Sequence, residues 1–340
     1  MSKTSVDRRA WIKMAMSAPI TAAVATSSPS NAQGAAKYVR TFVPHKYTEQ
    51  QVDLGEITMN YAVVGKADKP ALLLIPQQTE SWWGYEPLLD LLSANFQCFA
   101  VDLRGQGRSS WTPGRYSLDI IGNDLVRFID LVVKRPVVVA GNSSGGVLAA
   151  WLAAFAKPGQ VRAALCEDAP LFAIEPDPLW GPATRQSIGP VFHVRSLYLG
   201  DQWQIGDWKG YQQALAKLPF YGKVYPQQPE PPQNLKEYDP EWGRACWEGT
   251  FVGNARTESF LSQAKVPVLL THHARMIDPE TGVFLGALSD QQATKASELI
   301  KAAGAPFTYR SFPKAAHAMH ATEPAVYAST MKEWLVNSGL

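Results

Sequence analysis

Cysteine is scarce in this 340-residue chain: Cys98, Cys166 and Cys246 are far apart and odd in number. This excludes a disulfide framework and a zinc site of paired thiolates, and leaves each cysteine as a small buried hydrophobe. An excess of charge is also missing. Thirty-two Lys and Arg against 30 Asp and Glu give a formal charge of +2. With no basic stripe and no RNP-like aromatic pattern, nucleic acid is excluded as a partner. No apolar run is long enough to span a bilayer, no internal repeat recurs, and the composition has no mark of disorder, collagen or a coiled coil. What remains is an ordinary globular composition, long enough for one large core or two modest ones.

The first 32 residues read as an address. "DRRAWIKMAMSAPITAAVATSSPSNAQ" opens on Arg8 and Arg9, with Trp11, Ile12 and Lys13 at the spacing of a twin-arginine export signal. A weakly apolar, alanine-rich stretch follows, and "SNA", ending at Ala32, is the small-x-small pattern a signal peptidase needs. Cleavage there would remove Lys3, Arg8, Arg9, Lys13 and Asp7 and take the formal charge from +2 to −1. The expected location is periplasmic or secreted, with no charge to favour a membrane surface.

Beyond the address, strand-like and helix-like segments alternate, which predicts a mostly parallel α/β sheet. "QVDLGEITMNYAVVG" reads as two strands around a turn. "PALLLIP", "FQCFAVD", "RPVVVAGN", "VRAALCED" and "VPVLLTHH" are short continuous apolar runs, as strands covered on both faces require. "LDIIGNDLVRFIDLVV" and "SDQQATKASELIKAAG" have helical spacing. The alternation breaks over 171–260, a block with Trp180, Trp203, Trp208, Trp242, Trp247 and the cluster "YPQQPEPPQN". The expected organisation is a core of 33–170 and 261–340 with a helical cap inserted over 171–260. The cap tryptophans either line a pocket or pack the cap.

Within "RPVVVAGNSSGGVLAAW", a strand to Ala140, the run Gly141-Asn142-Ser143-Ser144-Gly145 and a helix from Val147 give G-x-S-x-G in strand-turn-helix context. Such a turn strains its central residue, and side chains at both flanking positions would strike strand and helix. Glycines at 141 and 145 remove that clash, which makes Ser143, centred between them, the candidate nucleophile, at the sheet edge with a helix N-terminus behind it.

A serine hydroxyl needs a base. His317, after the strand-like "FTYRSFP" and before a final amphipathic helix, has the position for it, with His320 three residues on as competitor, acyl-pocket residue or structural histidine. The acid has two locations: Glu167 or Asp168 at the end of "AALCED", or Asp278 in "MIDPETG". Glu167 is favoured because it ends a strand directly after the elbow helix. The oxyanion donors expected are the N–H groups of Ser144 and Gln78, the latter after "ALLLIP". Trp82 and Trp83 follow closely as pocket wall or core. His272 and His273 end "VPVLLTHH"; without a carboxylate at ligand spacing they suggest substrate contact or structure rather than metal.

These residues resemble the α/β-hydrolase superfamily, through "DLRGQGRSS", "GNSSGG" and the terminal histidine segment. Asp102, Arg104, Gly105 and Gly107 match its structural D-x-R-G-x-G turn. More closely, the chain is similar to the bacterial zearalenone-hydrolysing lactonases from about Gln51 onward, through "SWWGYEPLL", "AALCEDAP", "LGDQWQIGDWKG", "NLKEYDPEWGRA" and "THHARMIDPETGVFLGALSD". The resemblance implies a Ser143-Glu167-His317 triad with Gln78 and Ser144 as oxyanion donors. It implies a metal-free, cofactor-free serine hydrolase that opens a macrocyclic resorcylic lactone under an aromatic cap. Trp82, Trp83, Trp203, His272 and His320 are the expected substrate contacts. The export signal departs from that family and leaves the natural ester open. A carboxylesterase or carbon-carbon bond hydrolase of the same fold keeps the triad, and a non-catalytic receptor is the rival of a different class. Dehalogenases and epoxide hydrolases use Asp where this chain has Ser143. A second copy of the chain is the one macromolecular partner left open.

Overall fold

The computed structural model describes residues 44–172, 175, 185–199, 207–218 and 228–340. The expected export segment, 1–32, and Trp203 lie outside the described residues. The strands are β1 (Glu49–Asp53), β2 (Thr58–Val64), β3 (Ala71–Ile75), β4 (Gln97–Val101), β5 (Val137–Asn142), β6 (Val161–Glu167), β7 (Val268–His272), β8 (Met276–Ile277), β9 (Phe284–Leu285) and β10 (Phe307–Ser311). Eight of them form one sheet in the order β1-β2-β4-β3-β5-β6-β7-β10, while β8 and β9 pair separately as a small hairpin. The pairs β1-β2 and β2-β4 are antiparallel, and the rest of the large sheet is parallel.

The helices are α1 (Glu86–Leu92), α2 (Leu118–Phe128), α3 (Ser144–Phe155), α4 (Arg185–Tyr198), α5 (Trp208–Ala216), α6 (Gln233–Lys236), α7 (Pro240–Glu248), α8 (Thr257–Leu261), α9 (Asp290–Ala302), α10 (Met319–Thr322) and α11 (Pro324–Asn337). The apolar runs become central strands because both sheet faces are covered. Leu73, Ile75, Val139 and Leu270 pack with α2 and α3 on one face, and Leu72, Leu74, Ala140 and Leu269 pack with α1 and α11 on the other. Helix α3 is buried from Ser144 to Ala154, which explains why its sequence is apolar all round. The helix expected over 118–133 is α-helical to Phe128 and then widens into a π-helical turn, Ile129–Val133, in which Ile129 and Val133 are both buried.

Among the described residues, the segment between β6 and β7 is helical, from α4 to α8. Helix α8 packs on α3 and leads the chain back to the sheet. Helix α7 rests on the core turn of the D-x-R-G motif: the Trp242 indole donates to Arg104 O at 2.7 Å and the Asp239 N–H to Gly105 O at 2.8 Å. Arg104 is itself buried, with its guanidinium paired to Asp124 at 2.7 and 2.8 Å. No described helix is long and apolar enough to cross a membrane.

Candidate active site

The elbow is built as its glycines require. Ser143 links β5 to α3 at φ 53, ψ −121, a conformation L-residues rarely adopt. A Cβ at Gly141 would run into the Gly145 carbonyl, and one at Gly145 into Ile75 O and Pro76 O, so a side chain at either position would push the turn off the sheet. The Ser143 N–H donates to Glu167 O at 2.8 Å, which ties the turn to the end of β6. The Asn142 amide donates to His317 O at 2.8 Å and so brings the histidine loop beside the elbow.

Two acid-imidazole pairs join the end of β6 to the histidine segment, and their partners differ from those expected. His317 Nδ1 is 2.6 Å from Asp168 Oδ2. Glu167 turns to His320, accepting from its N–H at 2.9 Å and meeting its Nδ1 at 2.7 Å. The expected Glu167-His317 pairing is therefore corrected to Asp168-His317. The reason lies in the backbone: Glu167 is the last residue of β6, whereas Asp168 has left the strand at φ 43, so adjacent carboxylates point to different imidazoles. Asp278 takes neither role described for these acids; it shapes the β8-β9 hairpin, accepting the Thr281 hydroxyl at 2.6 Å.

Asp168 is 2 % exposed and also accepts the His273 N–H at 2.9 Å. Burial pushes its carboxyl up, but the fields of His273 and His317 and the hydrogen bonds from both outweigh burial and hold it below the usual carboxylate range. For His317 burial acts to lower the pKa; the Asp168 hydrogen bond and the charges of Asp168 and Glu167 overcome it and raise the imidazole above its ordinary value. With Nδ1–H donating to Asp168, Nε2 is the nitrogen left to take a proton.

The loop after β3 carries the expected oxyanion donor Gln78 to the start of α3. The Gln78 N–H donates to Ser144 Oγ at 2.8 Å, so it already points at the first turn of α3. The Ser144 N–H, at the first helical position, belongs to the donors that an α-helix leaves unpaired. Both expected donors thus face the same helix end.

The remaining expected contacts fare differently. Trp82 is core: it is fully buried, its indole donates to Glu49 at 2.8 Å and its N–H to Asp102 at 2.7 Å, which rules out a pocket-wall role. Trp83 is partly buried, stacked on His45, with its indole 3.4 Å from Glu237. His272 is corrected to a structural residue: it is fully buried, and its ring nitrogens meet Tyr309 OH at 2.9 Å and Leu288 O at 2.6 Å. His320 is likewise committed to Glu167 and packed against Tyr85, 5 % exposed, rather than facing a substrate. Sequence reasoning undervalued His273. Its N–H donates to Asp168 and its Nδ1 donates to Ala316 O at 2.7 Å, next to His317. The "HH" pair at a strand end was the available signal. Among the described residues, no group of three or more His, Cys, Asp or Glu is placed to hold a metal ion.

Residues 77–330 match the model of the alpha/beta hydrolase family. The chain belongs to the alpha/beta hydrolase family. This hydrolase is 29% identical to 3-oxoadipate enol-lactonase 2 of Acinetobacter baylyi over 98 residues, 29% of this chain and 37% of that protein. It is 35% identical to bifunctional epoxide hydrolase 2 of Sus scrofa over 112 residues, 32% of this chain and 20% of that protein. The matches thus span well under half the length of these curated relatives. Among solved structures, the enol-lactonase from Burkholderia xenovorans LB400 superposes with a TM-score of 0.58 at 18% identity, covering 84% of this chain and 100% of the other. The esterase RhEst1 from Rhodococcus sp. ECU1013 gives 0.59 at 19%, covering 86% and 99%. At such identities the likeness is one of fold.

Proposed function

We propose that this alpha/beta hydrolase is a serine esterase or lactonase that works through Ser143, His317 and Asp168. The observation that carries the reading is the 2.6 Å pair of His317 Nδ1 and Asp168 beside a serine held at φ 53. Ser143 Oγ attacks the ester carbonyl as His317 Nε2 takes its proton, and Asp168 stabilises the imidazolium. The N–H groups of Gln78 and Ser144 receive the oxyanion. His317 returns the proton to the leaving alkoxide, then activates the water that frees the acid. The enol-lactonase likeness supports ester chemistry. Epoxide chemistry fits poorly, because the position of its carboxylate nucleophile holds Ser143.

For the substrate, we propose a macrocyclic lactone of the resorcylic type, on the strength of the sequence resemblance in the cap and histidine segments. We also propose export of the chain through its twin-arginine segment. The test is steady-state turnover of zearalenone and of p-nitrophenyl acetate by the chain lacking residues 1–32, beside Ser143→Ala. Lactone opening that falls at least about 10⁴-fold in kcat in the variant is expected. Turnover of the variant within tenfold of wild type removes Ser143 as nucleophile. Ester cleavage without lactone opening keeps the mechanism and removes the lactone.

A further inference from the structure

The loop that carries Gln78 is held from the cap. Between β3 and the 3-10 turn Trp82–Tyr85, Thr79 sits at φ 68 and is 8 % exposed. A β-branched residue keeps a left-handed conformation only where its surroundings over-determine it. Here those surroundings come largely from the α6-α7 segment. The Gln78 side-chain amide donates to the Tyr238 hydroxyl at 2.5 Å and lies 3.7 Å from Cys246 Sγ. The Ser81 hydroxyl donates to Glu237 Oε2 at 2.8 Å, the Trp83 indole reaches the same oxygen at 3.4 Å, and the Asn234 amide reaches Glu80 at 3.4 Å. Both sides of Thr79 are therefore bonded to one short stretch of the cap.

That stretch is a firm support. Glu237 and Tyr238 are each 1 % exposed, and the Gln233 amide donates to the other Glu237 oxygen at 2.5 Å. The next residue, Asp239, is fixed to the core by its N–H on Gly105 O and by the Tyr116 hydroxyl. We propose that Glu237 and Tyr238 are positioning residues that set the Gln78 N–H, so that the oxyanion hole is made jointly by cap and core. This rests on the serine-hydrolase reading above. Without the Tyr238 hydroxyl the Gln78 side of Thr79 loses its side-chain anchor on the cap and keeps its N–H bond to Ser144 Oγ, and the loop relaxes away from the geometry in which the Gln78 N–H faces the Ser144 end of α3. One oxyanion donor is worth about 10² to 10³ in rate, and a donor displaced rather than deleted loses part of that.

The experiment compares wild type, Tyr238→Phe and Glu237→Gln in p-nitrophenyl acetate hydrolysis and in binding of phenylboronic acid, followed by tryptophan fluorescence. The boronic acid forms a B–O bond to Ser143 as the serine proton passes to His317, giving a tetrahedral anion that needs the oxyanion donors. Each variant should lose about 10- to 100-fold in kcat, with KM within about twofold and the boronate Kd raised in parallel. If Glu237→Gln fails to fold, Ser81→Ala, which removes one of its bonds, should move the same quantities in the same direction. Intact Ser143-dependent turnover in wild type, with variants unchanged in kcat and boronate affinity, overturns this inference alone. A loss confined to KM also overturns it. A wild-type protein without Ser143-dependent turnover overturns the serine-hydrolase reading and this inference with it.

Discussion

Replacing the two adjacent acids one at a time separates their roles. Asp168→Asn keeps the volume of the side chain and removes a negative charge 2.6 Å from His317 Nδ1. At an effective dielectric of about 20, unit charges at that distance attract by about 6 kcal/mol. Each 1.4 kcal/mol or so corresponds to tenfold in rate, so losing the group that stabilises the imidazolium and fixes its tautomer should lower kcat by about 10⁴. Glu167→Gln acts differently. Glu167 contacts His320, and its field is the last and smallest of the influences that raise the His317 pKa, so about tenfold is expected, the scale of one charge-assisted hydrogen bond. The assay is kcat/KM against pH with p-nitrophenyl acetate. His317 must be neutral to act as base, and its pKa is raised, so wild-type activity should develop as pH rises through a midpoint above 6.5. In Asp168→Asn that midpoint should fall, because the hydrogen bond and charge that raised it are gone. The opposite ranking, with Glu167→Gln losing about 10⁴ and Asp168→Asn about tenfold, would refute the pairing and return the acid to Glu167.

The same groups set pH-dependent stability. Asp168 has a depressed pKa when folded, so its contribution is present above its unfolded value near 3.9 and fades as pH falls through the folded one; thermal unfolding of Asp168→Asn should show a shallower decline in acid than wild type. Ser144→Ala should keep kcat within about tenfold, because the expected donor at that position is the backbone N–H, while Ser143→Ala loses at least about 10⁴ in parallel assays; equal losses would mean that the serine assignment is wrong. Asp124→Ala leaves the buried Arg104 guanidinium without its bidentate partner and should remove about 3–5 kcal/mol of unfolding free energy in urea, and an unchanged midpoint would count against the buried pair. Trp82→Phe should lower Tm while leaving KM within about twofold, and a large change in KM would put the indole back in the pocket.

The parts of this site that were legible from sequence are those with one physical solution. Continuous apolar runs of strand length fit a sheet covered on both faces, and the resulting strands carry consecutive residues such as Leu72 and Leu73 to opposite cores. The elbow was legible because glycine at 141 and 145 answers a collision that any Cβ would suffer against backbone. The acid was not, because "ED" at a strand end offers two carboxylates one residue apart. A single-residue change of direction, here the left-handed turn at Asp168, decides which imidazole each one meets. Trp82 and His272 stay ambiguous in sequence for a related reason: an aromatic or imidazole near a sheet edge is equally at home in the core or in a pocket, and only its hydrogen-bond partners, Glu49 for one and Leu288 O with Tyr309 for the other, choose between them. The support of Gln78 by Tyr238 was beyond reach, since 160 residues separate them and neither carries a local motif. Sequence therefore placed the candidate residues at the strand ends, while the choice of partners depended on backbone turns and long-range contacts that no spacing encodes. The Asp168 and Glu167 variants address the first of these and the Tyr238 variant the second.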